Sequence, residues 1–309
     1  MPEFIQAPLV VPRLKESEAL RRRRYRRHGS FRWMLLPGLG FVALMIGFPL
    51  LDTLWLSLQH FSFGSSPHFA GLANYGQLLA DPKFWQGLRV TFTLYLLSLA
   101  SQLIAGLYLA VLLHRARRLR GLLRTLLVSP FVMPPVVVGM MWLVILDPSL
   151  GIANWLLQLI GIPPALWLAS PQWVIPTVAM IDTWQWAPFV ALILLAGLQT
   201  LPIDVFEAAA IDGARGWGLF RRVTLPLLAP SIVTAATLRS VDLLRFFDII
   251  YITTQGGPGD ASQTLNIYAF KQGFVFLDIG YASALMVTLT AIVIGAVIVL
   301  MRLRHATQW

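Results

Sequence analysis

The sequence predicts an all-α polytopic membrane protein of about six transmembrane helices, with both termini in the cytoplasm. Three observations carry this expectation. Of the 309 residues, 57% are hydrophobic and only 12% charged, against roughly 25% charged in an ordinary soluble domain. Six apolar stretches approach or exceed the ~20 residues that a lipid-spanning helix takes. Basic residues alternate between rich and poor loops, as orientation by positive charge requires. A soluble globule cannot hide so much apolar surface, and intrinsic disorder demands low hydrophobicity.

Residues 1–32 form a basic tail with the run Arg21-Arg22-Arg23-Arg24-Tyr25-Arg26-Arg27. It reads as a disordered cytoplasmic tail held near anionic lipid. Arg26-Arg27 ahead of an apolar run is similar to a twin-arginine signal. The run at 33–58 is too long for a signal segment and lacks a clear small-residue cleavage site, so it reads as the first span. Further spans are expected at about 90–113, 124–146, 173–198, 227–252 and 282–301.

The fifth of these is doubtful by hydropathy alone, because it holds Arg239, Asp242, Arg245 and Asp248. Parity decides it. With six spans, the Lys/Arg counts of tail, successive loops and end are 9, 2, 5, 0, 3, 1 and 2. They alternate without exception. Dropping the fifth span would place Arg302 and Arg304 outside. The net charge of +10 is therefore membrane orientation and not affinity for nucleic acid. Trp33, Trp55, Trp85, Trp142, Trp173 and Trp184 fall near expected span ends, where amphipathic rings favour the interface. Small residues in the second span (Ser98, Ser101, Ala105, Gly106, Ala110) allow close helix approach.

Several chemistries are missing. The three lysines, Lys15, Lys83 and Lys271, follow Leu14, Pro82 and Phe270, so no phosphate-binding Gly-Lys-Ser/Thr loop exists. The five histidines are scattered, there is no cysteine, and no metal site is expected. No Gly-x-Ser-x-Gly elbow is present. Nothing local argues for an enzyme.

The loop at 199–226 carries the strongest local pattern. Pro202 suits a first helical turn, and Asp204 and Glu207 place negative charge near that helix's N-terminus. Ala208, Ala209 and Ala210 are strong helix formers with little bulk. Asp212-Gly213 follows, with Gly213 suited to a left-handed helix end. A second short helix is expected to about Val223, stopped by Pro226 before the fifth span. An alanine-faced helix on the cytoplasmic side fits a cleft on a partner, or is an ordinary surface helix-turn-helix.

Glu207-Ala208-Ala209, Gly213 six residues after Glu207, and then Val223-x-Leu225-Pro226 resemble the EAA signature of permease subunits in binding-protein-dependent ABC importers. The one departure is Val223, where the pattern has Ile. The resemblance implies an ABC importer type I permease fold in a bacterial inner membrane. It implies that Glu207, Ala208, Ala209, Asp212 and Gly213 form an ATPase-coupling surface, with Val223, Leu225 and Pro226 setting the exit into the fifth span. The implied partners are a second homologous permease, two ABC ATPase subunits and an extracytoplasmic solute-binding protein. ATP and Mg would be bound by the ATPase partners and no cofactor by this chain.

In the fifth span, Arg239, Asp242, Arg245 and Asp248 recur every third residue with alternating sign, a slanting stripe able to pair at i,i+3. Intramembrane charges usually face a bundle interior or watery cavity. They line a route, contact a partner, or are ion pairs that fix packing. The block Phe247-Asp248-x-Ile250-Tyr251-x-x-Thr254 with Gly256-Gly257-Pro258, and then Gly280-Tyr281-Ala282-Ser283-Ala284, resembles the carbohydrate-uptake branch of these permeases. That branch implies sugars, sugar alcohols or glycerol phosphodiesters as solute. Thr254, Gly256, Gly257 and Pro258 would lie in an outer, periplasmic loop. Trp184, Gln185, Trp186 and Tyr251 are candidates for stacking on and hydrogen-bonding a sugar; each is equally readable as an interface or core aromatic or amide. The resemblance covers about residues 33–305. An ion-coupled transporter using the Arg/Asp stripe as a relay, and a membrane-embedded enzyme, are the rival readings. The first requires inverted repeats, which the sequence does not clearly show.

Overall fold

The computed structural model describes residue 33 and residues 35–116 and 120–306. The expected basic tail, 1–32, lies outside the described residues. The chain divides into two compact units at Asp52 and Thr53. The described part of the first is helical and includes a π turn at Ala43–Gly47.

Among the described residues, five helices are long and apolar enough to cross a bilayer. They are α1 (Leu35–Ser57), α3 (Pro82–Arg115), α7 (Val174–Gln199), α9 (Gly216–Leu244) and α12 (Ile279–Ala306). Shorter helices lie between them: α2 (Ala73–Ala80), α4 (Arg120–Val132), α5 (Pro135–Ile145), α6 (Ile152–Leu159), α8 (Ile203–Ile211), α10 (Asp248–Thr253) and α11 (Leu265–Phe270). A two-stranded antiparallel hairpin, Gln59–His60 with His68–Phe69, is set between α1 and α2.

The second crossing begins earlier than hydropathy suggests, at Pro82 and not near 90. Asp81 caps the helix by accepting from the Lys83 amide at 2.9 Å, and Pro82 occupies the first turn. Hydropathy marks the part of a helix in lipid, whereas caps mark where it starts. At 34 residues, α3 is about 50 Å long, well beyond the ~30 Å hydrocarbon core.

α3 packs along α7 through a face of small and polar residues, with Ser98, Gln102, Gly106 and Ala110 all buried. At Gly106 a Cβ would lie 2.5 Å from the Val190 side chain and 3.2 Å from the Ala187 carbonyl. Only glycine permits this approach. Gly106→Val is therefore expected to destabilise the chain by about 1–3 kcal/mol through overpacking, read as a lowered thermal-unfolding midpoint in detergent.

Two expected spans are interrupted. The third, 124–146, is two helices, α4 and α5, broken at Met133-Pro134. Pro134 and Pro135 both lack an amide hydrogen, and each disfavours helix in the residue before it. The fifth, 227–252, ends as a helix at Leu244 and resumes at Asp248. No proline or glycine causes this second break. Its freed carbonyls are met from a distant segment instead. Asn266 Nδ2 donates to the Arg245 carbonyl at 2.8 Å and Thr264 Oγ1 to the Phe246 carbonyl at 3.3 Å.

Pro226 does not stop a helix, contrary to expectation. α9 runs unbroken from Gly216 to Leu244. A π turn at Phe220–Thr224 lies just before the proline, with the Leu225 amide donating to the Phe220 carbonyl. This wider turn absorbs the missing proline donor, so the chain stays helical.

Candidate functional site

The first candidate surface is the loop around α8. Pro202 is its N-cap and Asp204 lies in its first turn. The end is a Schellman motif: the Gly213 amide donates to the Ala210 carbonyl at 3.1 Å and the Ala214 amide to the Ala209 carbonyl at 2.9 Å. Gly213 has φ +80°, and no atom lies within 4 Å of a Cβ placed there. Glycine is needed here for its backbone and not for space.

No residue of α8 is buried. Glu207, Ala208, Asp212 and Gly213 are exposed, with Ala209 partly covered. Large apolar side chains are exposed beside them, Ile203 at 71% and Ile211 at 87%. Exposed apolar side chains on a short helix are compatible with a contact surface. Val223 and Leu225 are partly covered and Pro226 is exposed, all within α9.

The second candidate is a cavity of about 410 Å³ at the break between α9 and α10. Such a volume is within the range of small-molecule sites. Trp186, Arg239, Asp242, Arg245 and Asp248 line it, so the structure gathers five of the expected pathway residues. Trp184, Gln185 and Tyr251 are elsewhere. Trp184 lies well inside α7, not at a span end, and meets Trp142 edge-on at 5.7 Å. Gln185 is buried and donates to the Met133 carbonyl at 2.9 Å, at the α4–α5 break. Tyr251 stacks on Phe247 at 5.1 Å.

The stripe is not one stripe, because Arg245 terminates α9 and Asp248 opens α10. Arg239 pairs with Asp242 at 3.2 Å, as the i,i+3 spacing predicts. The expected Arg245–Asp248 pair is replaced by Arg245–Asp242 at 3.8 Å. Asp248 makes no ion pair among the described residues; it sits in the first turn of α10, where an acid is favoured.

The structure adds partners that the pattern did not single out. Arg239 is 1% exposed and bonds across three helices. Its Nε donates to Gln102 Oε1 at 2.8 Å, and its second terminal nitrogen lies 3.4 Å from Asp182, which is fully buried. Gln102 Nε2 also donates to Asp182. The guanidinium lies 4.1 Å from the centre of the Trp186 ring, a cation–π contact. The signal for Asp182 was present: it is an acid in the middle of an apolar span, subject to the same rule that flagged span five. Gln102 carried no comparable signal.

The cavity thus has a buried floor of neutralised charge (Asp182, Arg239) and a wetter rim. Asp242 and Arg245 have side chains about half exposed, at 49% and 57%. Asn266 joins them at the rim. Carboxylate, guanidinium and amide groups together can hydrogen-bond sugar hydroxyls, while the Trp186 ring already carries the Arg239 guanidinium on one face.

The turn at Thr254–Pro258, expected on the outer side, is tightly hydrogen-bonded. Gly256 has φ +91°. The Gly257 amide donates to the Thr254 carbonyl at 2.8 Å, and Ser262 Oγ bonds both Thr254 Oγ1 at 2.7 Å and the Gly257 carbonyl at 2.6 Å. Pro258 accepts through its carbonyl from the Ala261 amide at 3.0 Å. Asp260 draws in Lys83 at 4.0 Å and Lys271 at 3.8 Å.

A clamp beside this turn was not foreseen. Asp81 accepts from Tyr268 Oη at 2.5 Å and from Tyr281 Oη at 2.7 Å. It ties the start of α3 to α11 and α12. Burial pushes the Asp81 carboxyl up, but hydrogen bonds from both tyrosines and the Lys83 amide outweigh it, leaving the group below its ordinary 3.8. Burial first, and then the bond to Asp81, push the Tyr268 phenol up to about 12. A depressed carboxylate contributes stability above its unfolded value and loses it as pH falls through the folded one. Asp81→Asn keeps a good N-cap and removes the charge. It is expected to cost about 1–3 kcal/mol at neutral pH. In thermal melts of the purified chain, the gap between variant and parent should close as pH falls below 4.

Residues 102–306 match the family described as binding-protein-dependent transport system inner membrane component. The trehalose/maltose transport system permease protein MalF of Thermococcus litoralis is 36% identical over 270 residues, covering 87% of this chain and 91% of that protein. The sn-glycerol-3-phosphate transport system permease protein UgpA of Agrobacterium fabrum is 33% identical over 266 residues, covering 85% and 90%. A chain of a bacterial alginate ABC transporter, crystallised with an alginate pentasaccharide-bound periplasmic protein, superposes with a TM-score of 0.80 at 22% identity, over 93% of this chain and 98% of that one. That likeness concerns the fold.

Proposed function

This chain belongs to the family of binding-protein-dependent transport system inner membrane components, and on that premise we propose how it works as the permease of an ATP-driven importer of carbohydrate-type solutes. The partners are a second homologous permease, two ATPase subunits that hold ATP and Mg, and an extracytoplasmic solute-binding protein. The chain is multi-pass in a bacterial inner membrane, with the α8 loop and both termini on the cytoplasmic side. The alternation of basic loops supports this orientation.

The observation that carries the mechanism is the continuity of α9. From Gly216 to Arg239 is about 35 Å of unbroken helix. One end follows directly from the Schellman turn of the exposed α8 loop, and the other carries the buried cluster beneath the cavity. When the ATPases close on ATP, the docked α8 loop moves with them. The helix transmits that movement to Arg239, whose partners Gln102 and Asp182 stand on α3 and α7. The three helices shift together and the cavity changes the side from which it opens. ATP chemistry stays in the partners, and this chain supplies route and lever.

The carbohydrate class is supported by the named relatives and by the indole, carboxylate, guanidinium and amide groups around the cavity. The outer turn at Thr254–Pro258 offers a rigid surface to the binding protein. Two measurements test the class. Calorimetry of the cognate binding protein against sugars, sugar alcohols and glycerol phosphates should give binding within that panel. ATP-driven uptake by proteoliposomes of the assembled complex should follow the same preference. Uptake that follows an ion gradient without ATPase partners would contradict the proposal.

A further inference from the structure

We infer that the cytoplasmic half of α3 and the start of α9 form a seat for one anionic phospholipid, separate from the solute cavity. A groove of about 510 Å³ runs along the outside of α3. Ile104, Leu107, Tyr108, Val111 and Arg115 line it from that helix, at the 3–4 residue spacing of one helix face. Ile104 and Tyr108 are 71% and 65% exposed. From Ile104 to Arg115 is roughly 16 Å of helix, half of the ~30 Å hydrocarbon thickness and so the depth of one leaflet. The groove has the length of one acyl chain.

The polar end selects the headgroup. Arg115 is the only charged residue lining the groove among the described residues, and it lies at the end away from Ile104. It is exposed and makes no ion pair among the described residues. Trp217 closes the same end, 72% exposed and stacked on Phe220 at 5.3 Å. An indole beside a cation is what a headgroup region favours. Arg221 and Arg222 follow Phe220, also exposed and unpaired among the described residues. Apolar walls alone would accept any lipid, but an arginine without an acidic partner among the described residues favours one with a negative phosphate head.

The seat adjoins the coupling loop. A second cavity, of about 550 Å³, shares Val111, Arg115, Gly216 and Phe220 with the groove and reaches Ile203 and Phe206 of α8. A phosphate held by Arg115 therefore borders the hinge between α8 and α9.

Native mass spectrometry of the full-length chain, delipidated in detergent and titrated with phosphatidylglycerol or phosphatidylcholine, tests this. One phosphatidylglycerol should be retained in preference to phosphatidylcholine. Arg115→Gln should reduce retention about fivefold, the effect of one basic residue at an anionic surface. Arg115→Lys should keep most of it, and Arg89→Gln, near the other end of α3, should change nothing. Soluble glycerol phosphate should not compete. The inference fails if both lipids are retained equally, if Arg115→Gln binds as the parent does, or if glycerol phosphate displaces the lipid. It fails equally if Ile104→Cys in the assembled importer crosslinks to a neighbouring subunit in place of a lipid probe.

Discussion

Arg239→Met is expected to destabilise the chain by about 3–5 kcal/mol, because it leaves Asp182 buried without its counter-charge. Asp182 is 0% exposed, and Gln102 can donate only part of what the guanidinium supplies. The double variant Arg239→Met/Asp182→Leu should recover much of that loss, since replacing both members of a buried pair by apolar groups is often near neutral. Thermal melts of parent, single and double variants measure this as a cycle. The same double variant should still fail in uptake, because the link between α9 and its neighbours on α3 and α7 is gone. Recovery of both stability and transport would mean that the cluster fixes packing and nothing more.

Gly213→Asp is expected to lower ATP-driven uptake at least tenfold while leaving the chain folded. The backbone cost is modest, since Asp tolerates the left-handed region better than most residues, and the site has open space. The larger effect is expected from the docking proposed for this loop. A mismatched charge added within a protein contact costs about 2 kcal/mol or more, about thirtyfold in association. Gly213→Asn has nearly the same shape and no charge, so it should lose much less. Uptake by proteoliposomes holding the assembled complex with its binding protein, with ATPase association measured in parallel, separates the two.

The local features could be read from the chain itself. Capping residues, the alanine run and Gly213 lie within a dozen positions, and they form the helix and turn that their types favour. Long apolar runs gave the crossings for the same reason. What escaped depends on residues far apart. The break after Leu244 is held by Thr264 and Asn266, and no periodicity within the span encodes it. The Asp81 clamp joins residues nearly 200 positions apart. Pro226 looked like a stop because a proline removes one donor from an α-turn; the π turn before it made that donor unnecessary. In the cavity, the alternating charges of span five were visible, but their pairing was not. Arg239 turned to Asp182 on another helix, and Arg245 to Asp242 behind it.

If ATPase subunits engage this chain at the exposed α8 loop, as proposed, a thiol placed there is covered in the assembled importer. The sequence contains no cysteine, so an Ala208→Cys variant presents one thiol on that loop. Its rate of modification by a membrane-impermeant maleimide, in inverted membrane vesicles with and without the ATPase subunits, measures contact directly. Docking at α8 requires rapid labelling of the permease without ATPases and at least tenfold protection in the assembled importer. Equal labelling in both would contradict it.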